Sequence, residues 1–215
     1  MSMQSLDSRR TVILVFLILT VLFELTTYEA SVQRPAGERF FQMYILGANH
    51  KAANYYPQND TDIRVGSVLR WYLGITNNMG SAQFVEVQVK LANQTTQSPD
   101  DLKALESPAP AITDFAEVML KNGTWEFPFV WSVENASMSG GSAHILTLEI
   151  DNQTYSVSSW AGANGYNFRL IFELWTWQPE SNTFGFGWAS NGERHAAWLQ
   201  VWFNMTNVSP IPMAE

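Results

Sequence analysis

From residue 40 onward, apolar and polar positions alternate with a period of two, the signature of strands that bury one face. FVEVQVKLAN is the clearest stretch: Val85, Val87, Val89 and Leu91 share one face, and Phe84, Glu86, Gln88 and Lys90 the other. GSVLRWYLGIT sets Leu69, Trp71, Leu73 and Ile75 against Val68, Arg70 and Tyr72. FAEVMLK places Ala116, Val118 and Leu120 inward, and HILTLEI does the same with Leu146, Leu148 and Ile150. FRLIFELWTW is apolar on both faces, with Phe168, Leu170, Phe172 and Leu174 opposing Ile171, Trp175 and Trp177. Turn-forming residues separate these runs: Asn77 to Gly80, Asn122-Gly123, Gly140-Gly141, Gly162 to Gly165 and Asn191-Gly192. Seven or eight strands at this spacing predict an all-β, antiparallel two-sheet sandwich. One segment departs from the pattern. In SPDDLKALESPAPAI, Ser98 suits an N-cap, Pro99 the first helical position, and Pro108 and Pro110 a stop, which predicts a short helix.

The N-terminus has a different pattern. After Arg9 and Arg10, TVILVFLILTVLFEL is interrupted only by Thr11, Thr20 and Glu24. As a helix, residues 11–28 would extend roughly 27 Å, close to the hydrocarbon thickness of a thin bilayer. The basic pair ahead of the run places residues 1–10 in the cytoplasm and the rest outside, with Glu24 near the outer interface. A cleaved signal peptide is the competing reading, but Tyr28 stands two residues before Ala30, where a small side chain is expected. The predicted organisation is therefore a cytoplasmic segment 1–10, a signal-anchor helix 11–28 in membrane lipid, a linker 29–38, the sandwich 39–205 and a tail 206–215.

Composition narrows the partner classes. The 215 residues include nine tryptophans, which calls for large buried or contact surfaces. A net charge of −8 with 12 basic residues argues against nucleic acid. The chain has no cysteine, so disulfides, thiolate metal sites and cysteine nucleophiles are excluded, and an exported domain without disulfides leans towards a prokaryotic surface. Seven N-x-S/T sequons, at Asn59, Asn93, Asn122, Asn135, Asn152, Asn204 and Asn207, agree with an outward-facing domain carrying N-linked glycans. Those in KNGT, ENAS and DNQT are expected in turns, where glycans would leave the strand faces free.

The stretch SNTFGFGWASNGERHAAWLQVWF carries six large aromatics about an Asn-Gly, a strong hairpin cue. A two-residue turn would pair Ser190 with Glu193, Trp188 with His195, Phe186 with Ala197 and Phe184 with Leu199. One face of that hairpin, with Phe184, Phe186, Trp188, Leu199, Val201 and Phe203, is expected in the core. The other would lay Trp198 over Gly185, an aromatic covering a gap in a sheet. With Trp175, Trp177, Trp198, Gln200 and Trp202, this second face is the candidate partner-binding surface, unless a loop or sheet covers it. Sugar stacking is the alternative, with Gln200, Arg169, Arg194 and Glu173 as the only polar groups placed to help.

Several motifs together resemble a known family. Tyr44-Ile45-Leu46-Gly47, Lys51-Ala52 and Asn54 to Pro57 are similar to the opening F-Y-x-L-G…K-A…Y-P of an archaeal family, domain-of-unknown-function family number sixteen-sixteen. Gly74 to Asn78 resembles its G-I-x-N-H strand end, and Phe172 to Trp175 and Leu199 to Phe203 resemble its closing strands. The resemblance spans about residues 39–205 and implies a membrane-attached, immunoglobulin-like extracytoplasmic sandwich with no assigned reaction. The segment 98–112 is longer than the family's turn, and the SNTFGFGWASNGE hairpin looks like an insertion.

No catalytic constellation stands out. His50, His144 and His195 lack metal-ligand spacing, and Ser142 is not in a nucleophile elbow. Asp60 and Asp62 could offer oxygens to calcium but read more simply as a solvated turn. The glycine-rich SGGSAH and AGANGYN lack a lysine and open no helix, so they are not phosphate cradles. The expectation is a non-enzymatic, single-pass membrane protein without cofactor or metal. Its sandwich would be an accessory or scaffold subunit of an archaeal envelope or membrane assembly, or else a carbohydrate-binding module using exposed tryptophans.

Overall fold

The structure is a computed structural model that describes Val12, Ile13, Phe16 and residues 18–21, 38–190 and 192–207, without the side chains of 158–161. The chain divides into two units, residues 1–38 and 39–215. In the first, Val12, Ile13, Phe16 and residues 18–21 are helical and exposed. The rest of the predicted span 11–28, most of the linker 29–38 and the tail beyond Asn207 lie outside the described residues. Among those that are described, no helix is long and apolar enough to cross a membrane.

The second unit is an antiparallel sandwich. One sheet holds β1 (Phe41–Leu46), β2 (Leu69–Asn77), β5 (Thr124–Ser139), β6 (Ser142–Ile150) and β7 (Gln153–Ala163) in the order β1-β2-β5-β6-β7. The other is ordered β12-β8-β3-β4, from β3 (Gln83–Asn93), β4 (Ala111–Met119), β8 (Phe168–Gln178) and β12 (Trp198–Phe203), with β9 (Thr183–Phe186) also on β8. A small ribbon pairs β10 (Trp188–Ser190) with β11 (Glu193–His195). The apolar faces expected of β2 and β3 are buried, and β8 is covered on both sides, with Phe168, Leu170, Phe172 and Leu174 in the main core and Ile171 in a second cluster. Between the sheets, Trp71 and Phe129 from the first meet Phe172 of the second, at ring separations of 6.5 and 5.0 Å. Burial of such rings is the main stabilising term of a small sandwich without disulfides.

Four expectations are corrected. First, β4 faces the other way: Met119 and Phe115 turn towards the core, while Ala116, Val118 and Leu120 are exposed. Phe115 and Met119 offer more area to bury than Ala116 and Val118, and a period-two pattern leaves the choice of face to such margins. Second, a bulge between Ile145 and Thr147 buries Ile145 and Leu148 together and leaves Leu146 outside.

Third, 98–110 forms no helix. Asp100 and Leu105 exchange backbone hydrogen bonds of 2.8 and 3.0 Å across a turn that reverses at Ala104, with φ of +47°. The Asp100 side chain accepts the Leu102 and Lys103 amides, closing a turn rather than opening a helix.

Fourth, the aromatic hairpin is short. Ser190 pairs with Glu193 and Trp188 with His195, as expected, although Asn191 lies outside the described residues. The ladder ends at Gly187, whose φ of +77° turns the chain away. Beyond it the two arms separate onto one edge of β8: Phe184 pairs with Trp177, while Trp198 pairs with Glu173 and Leu199 with Phe172. Splitting the arms supplies partners along most of that edge of β8, which a free-standing ribbon would leave unpaired.

The family-like residues at the start of the sandwich have structural roles. The Tyr44 ring lies over Gly74, its cross-strand partner, where a Cβ would collide with it. This is aromatic covering of a strand glycine, in a different place from the one expected. Gly185 lies under Gln178, not Trp198. Trp71 Nε1 donates to the Tyr55 carbonyl at 2.6 Å, and the Tyr56 hydroxyl donates to the Trp202 carbonyl.

Candidate partner-binding surface

The outer face of the β12-β8-β3-β4 sheet holds all five residues expected to bind a partner, and the segment 94–110 crosses it. At its centre Lys90 and Glu173 are both buried, with Nζ 2.7 Å from Glu173 Oε2 and 2.9 Å from Glu106 Oε2. The Ser107 carbonyl accepts from Lys90 at 2.9 Å, and the Ser107 amide donates to Glu173 Oε1 at 2.7 Å. Trp175 Nε1 donates to Glu173 Oε2 at 3.3 Å. Burial pushes the Glu173 carboxyl above its ordinary value, while Lys90, the Ser107 amide and Trp175 all act to lower it. A buried pair with this many partners joins the crossing segment to the sheet and sets its register.

That segment divides the tryptophans among three settings. Trp198 packs on Ala92, Ala109 and Ile171, and Trp175 lies beside the ion pair and Phe186, so both are half-buried structural groups. Trp177 joins Phe84 and Phe184 in a separate cluster with ring separations of 4.9 to 6.0 Å. Phe184 and Phe186 thus pack outside the sheet, not in the main core expected for them. Trp202 is 37% exposed and lies on the guanidinium of Arg169, 4.8 Å from Cζ to ring centre. Arg169 is itself buried, which lowers its pKa. It donates to Ser98 Oγ at 2.7 Å, to Gln200 Oε1 at 2.5 Å and to the Thr96 carbonyl. Gln200 is therefore a clamp for Arg169 and not a free polar group.

Lys90, Glu173 and Arg169 went unrecognised as a buried network because strand alternation marks their positions as outward. Only a covering segment makes an outward charge a buried one. Between that segment and the β10–β11 ribbon lies an open cleft of about 590 Å³, lined by Asp101, Lys103, Glu193, Arg194 and His195, with both charge signs on its walls. No group of three or more His, Asp or Glu among the described residues is placed to hold a metal. Asp62 holds the end of the sandwich together instead: its carboxylate accepts from the Thr206 amide at 2.8 Å, the Thr206 hydroxyl and Asn207 Nδ2.

The sequons separate by environment. Asn59, Asn122 and Asn152 are exposed in turns or short loops. Asn135 is exposed too, but at a bulge within β5 and not in a turn. Asn93 has a different setting: it is buried, and its Oδ1 accepts from the amides and hydroxyls of Thr95 and Thr96. A glycan there would displace that turn. Asn204 is half-buried, with Nδ2 donating to Thr61 Oγ1, and its sequon hydroxyl on Thr206 is bonded to Asp62.

No family model and no curated protein matches the chain. Among solved structures it is similar to the CARDB domain of a Pyrococcus furiosus protein crystallised with di-metal ions, at 9% identity and a TM-score of 0.37 over 79% of this chain and 90% of that one. The C-terminal domain of wzt is similar at 6% identity and a TM-score of 0.34, covering 83% and 88%. A beta-glucosidase from Listeria innocua in complex with glucose matches at 9% identity and a TM-score of 0.31, over 57% of this chain and 16% of that one. At such scores no ligand, partner or activity carries over.

Proposed function

We propose that this chain is a non-enzymatic, single-pass membrane protein. Residues 11–28 anchor it with the N-terminus in the cytoplasm, and residues 39–205 form an immunoglobulin-like domain outside. In this reading it is an accessory or scaffold subunit of an archaeal envelope or membrane assembly, in keeping with the motif resemblance at its first strands. The observation that carries the docking part is Trp202, an open ring on a guanidinium locked by three oxygens. A rigid tryptophan backed by arginine loses little side-chain freedom on binding, which is the character of an interface hot spot.

Sugar binding has less support, since Arg169 and Gln200 already bond each other and leave few groups for hydroxyls. The test is mild-detergent extraction of the full chain, native sizing and identification of companions present at fixed ratio. Trp202→Ala should deplete them while the unfolding midpoint holds. Companions unchanged by that variant, or a solitary chain whose tryptophan fluorescence responds to sugars, would overturn the docking reading. Trp198 is a poor probe, because its truncation also opens the packing on Ile171.

A further inference from the structure

The fold leaves a group of apolar side chains unexplained. With β4 facing as it does, Val118 is 59% and Leu120 72% exposed, beside Phe84 at 39%, and Phe40 is 40% exposed. Scattered exposed apolar residues are ordinary, but these share one end of the sandwich. Asn77 gathers them: its side-chain amide donates to the carbonyls of Met119, Leu120 and Ser81 at 3.3, 3.0 and 2.9 Å. Its neighbour Asn78 donates to the Phe40 carbonyl at 3.0 Å. Phe84 is the cross-strand neighbour of Val118 and extends the patch to Trp177 and Phe184. A shallow groove of about 250 Å³, lined by Val118, Met119, Leu120 and Trp125, opens beside it.

This is also the end at which the chain enters the sandwich. Arg39 and Phe40 lead directly into β1, and the Arg39 carbonyl accepts from Trp188 Nε1 at 3.2 Å. Only residues 29–38 separate that point from the apolar run 11–28. Ten residues reach at most about 35 Å when fully extended, so an anchored sandwich stays close to the bilayer surface. A tether of that length holds the patch at high local concentration against lipid, where a contact too weak to recruit a free domain becomes occupied. Phenylalanine and tryptophan suit the boundary between headgroups and acyl chains. Lys121 next to Leu120 and Glu117 next to Val118 give the patch a rim of both signs.

We infer that the Phe40–Phe84–Val118–Leu120 end of the sandwich docks on the lipid surface of the membrane in which residues 11–28 are anchored, and so sets the orientation in which the domain presents Trp202. The inference rests on the anchor reading above. The chain has no cysteine, so single labels can be placed cleanly. Leu120→Cys is compared with Val68→Cys, which is 65% exposed at the opposite end of β2 from Asn77. Each full-length variant carries a nitrobenzoxadiazole fluorophore and is reconstituted into phosphatidylcholine vesicles with plain or brominated acyl chains.

Flotation is read first. Failure of the chain to float overturns the anchor and this inference with it. For a floating chain, bromine should quench the Leu120 label severalfold more than the Val68 label, with a blue-shifted emission. Equal quenching at both sites overturns the docking surface alone and leaves the anchor standing. Shielding of Leu120 that ignores bromine and fades as protein is diluted in the vesicles assigns the patch to a second copy of the chain, and also overturns it.

Discussion

Single side chains decide how the outer face of the second sheet is covered. Lys90 reaches Glu173, Glu106 and the Ser107 carbonyl from within a layer that excludes water. Lys90→Met should therefore cost about 3–5 kcal/mol, since it leaves the Glu173 carboxylate buried without its counter-ion. The sign with pH follows from the raised pKa of Glu173. A carboxyl that binds its proton more tightly folded than unfolded contributes stability fully below its unfolded pKa, and loses it as pH rises through the folded value. Without Lys90 that folded value climbs further. The penalty of Lys90→Met should then be small in acid and grow as pH rises through and above the ordinary carboxylate range. Urea midpoints across pH measure it, and a penalty that does not change with pH would show that Glu173 is not left charged and alone. Alternation correctly places Lys90 and Glu173 on the outer face. It carries no information on the segment that later closes over them.

Among the elements, β8 organises the sheet because it is apolar on both faces and its edge is shared by two arms of the aromatic stretch. The parting of those arms depends on Gly187, which lies in the left-handed region, and where a Cβ would meet the His195 carbonyl. Gly187→Ala should cost about 1–3 kcal/mol through backbone strain, with more from that collision. At Gly192, also left-handed but facing open space, alanine should cost less. Paired denaturation curves give the comparison, and equal losses would mean that strain alone matters at both sites. The Asn-Gly turn and its nearest pairs were legible in the sequence because hairpin signals act over four residues. The departure at Gly187 was not, because its cause is the unpaired edge of a strand several residues away in the chain.

For the whole molecule, the proposed export would require a sandwich that accepts glycans without losing its fold. The exposed turns at Asn122 and Asn152 meet that condition, and the buried amide of Asn93 does not. In a host that performs N-linked transfer, Asn122→Gln and Asn152→Gln should each remove one glycan mass and leave the unfolding midpoint within about 0.5 kcal/mol, as ordinary surface changes do. Asn93→Gln should change no glycan mass and lower stability by about 1–3 kcal/mol, because the Thr95 and Thr96 donors lose their acceptor. A glycan found on Asn93 of the folded protein would contradict the turn described for it.

By itself the sequence determined that the domain is an antiparallel sandwich, which residues of β2 and β3 share the buried face, that β8 is apolar on both faces, and that residues 11–28 hold a separate apolar run. These follow from local rules: alternation at period two, turn residues between runs, and the length of an uninterrupted apolar stretch. Only the tertiary structure decided the facing of β4, the bulge in β6, the turn that replaces a helix at 98–110 and the division of the tryptophans into packed and open ones. Each of those is a competition between alternatives of similar local energy, such as Phe115 against Val118 for the core or a capped helix against a turn that lays Ser107 over Lys90. Contacts between residues far apart in the chain settle such competitions, and a local pattern does not contain them.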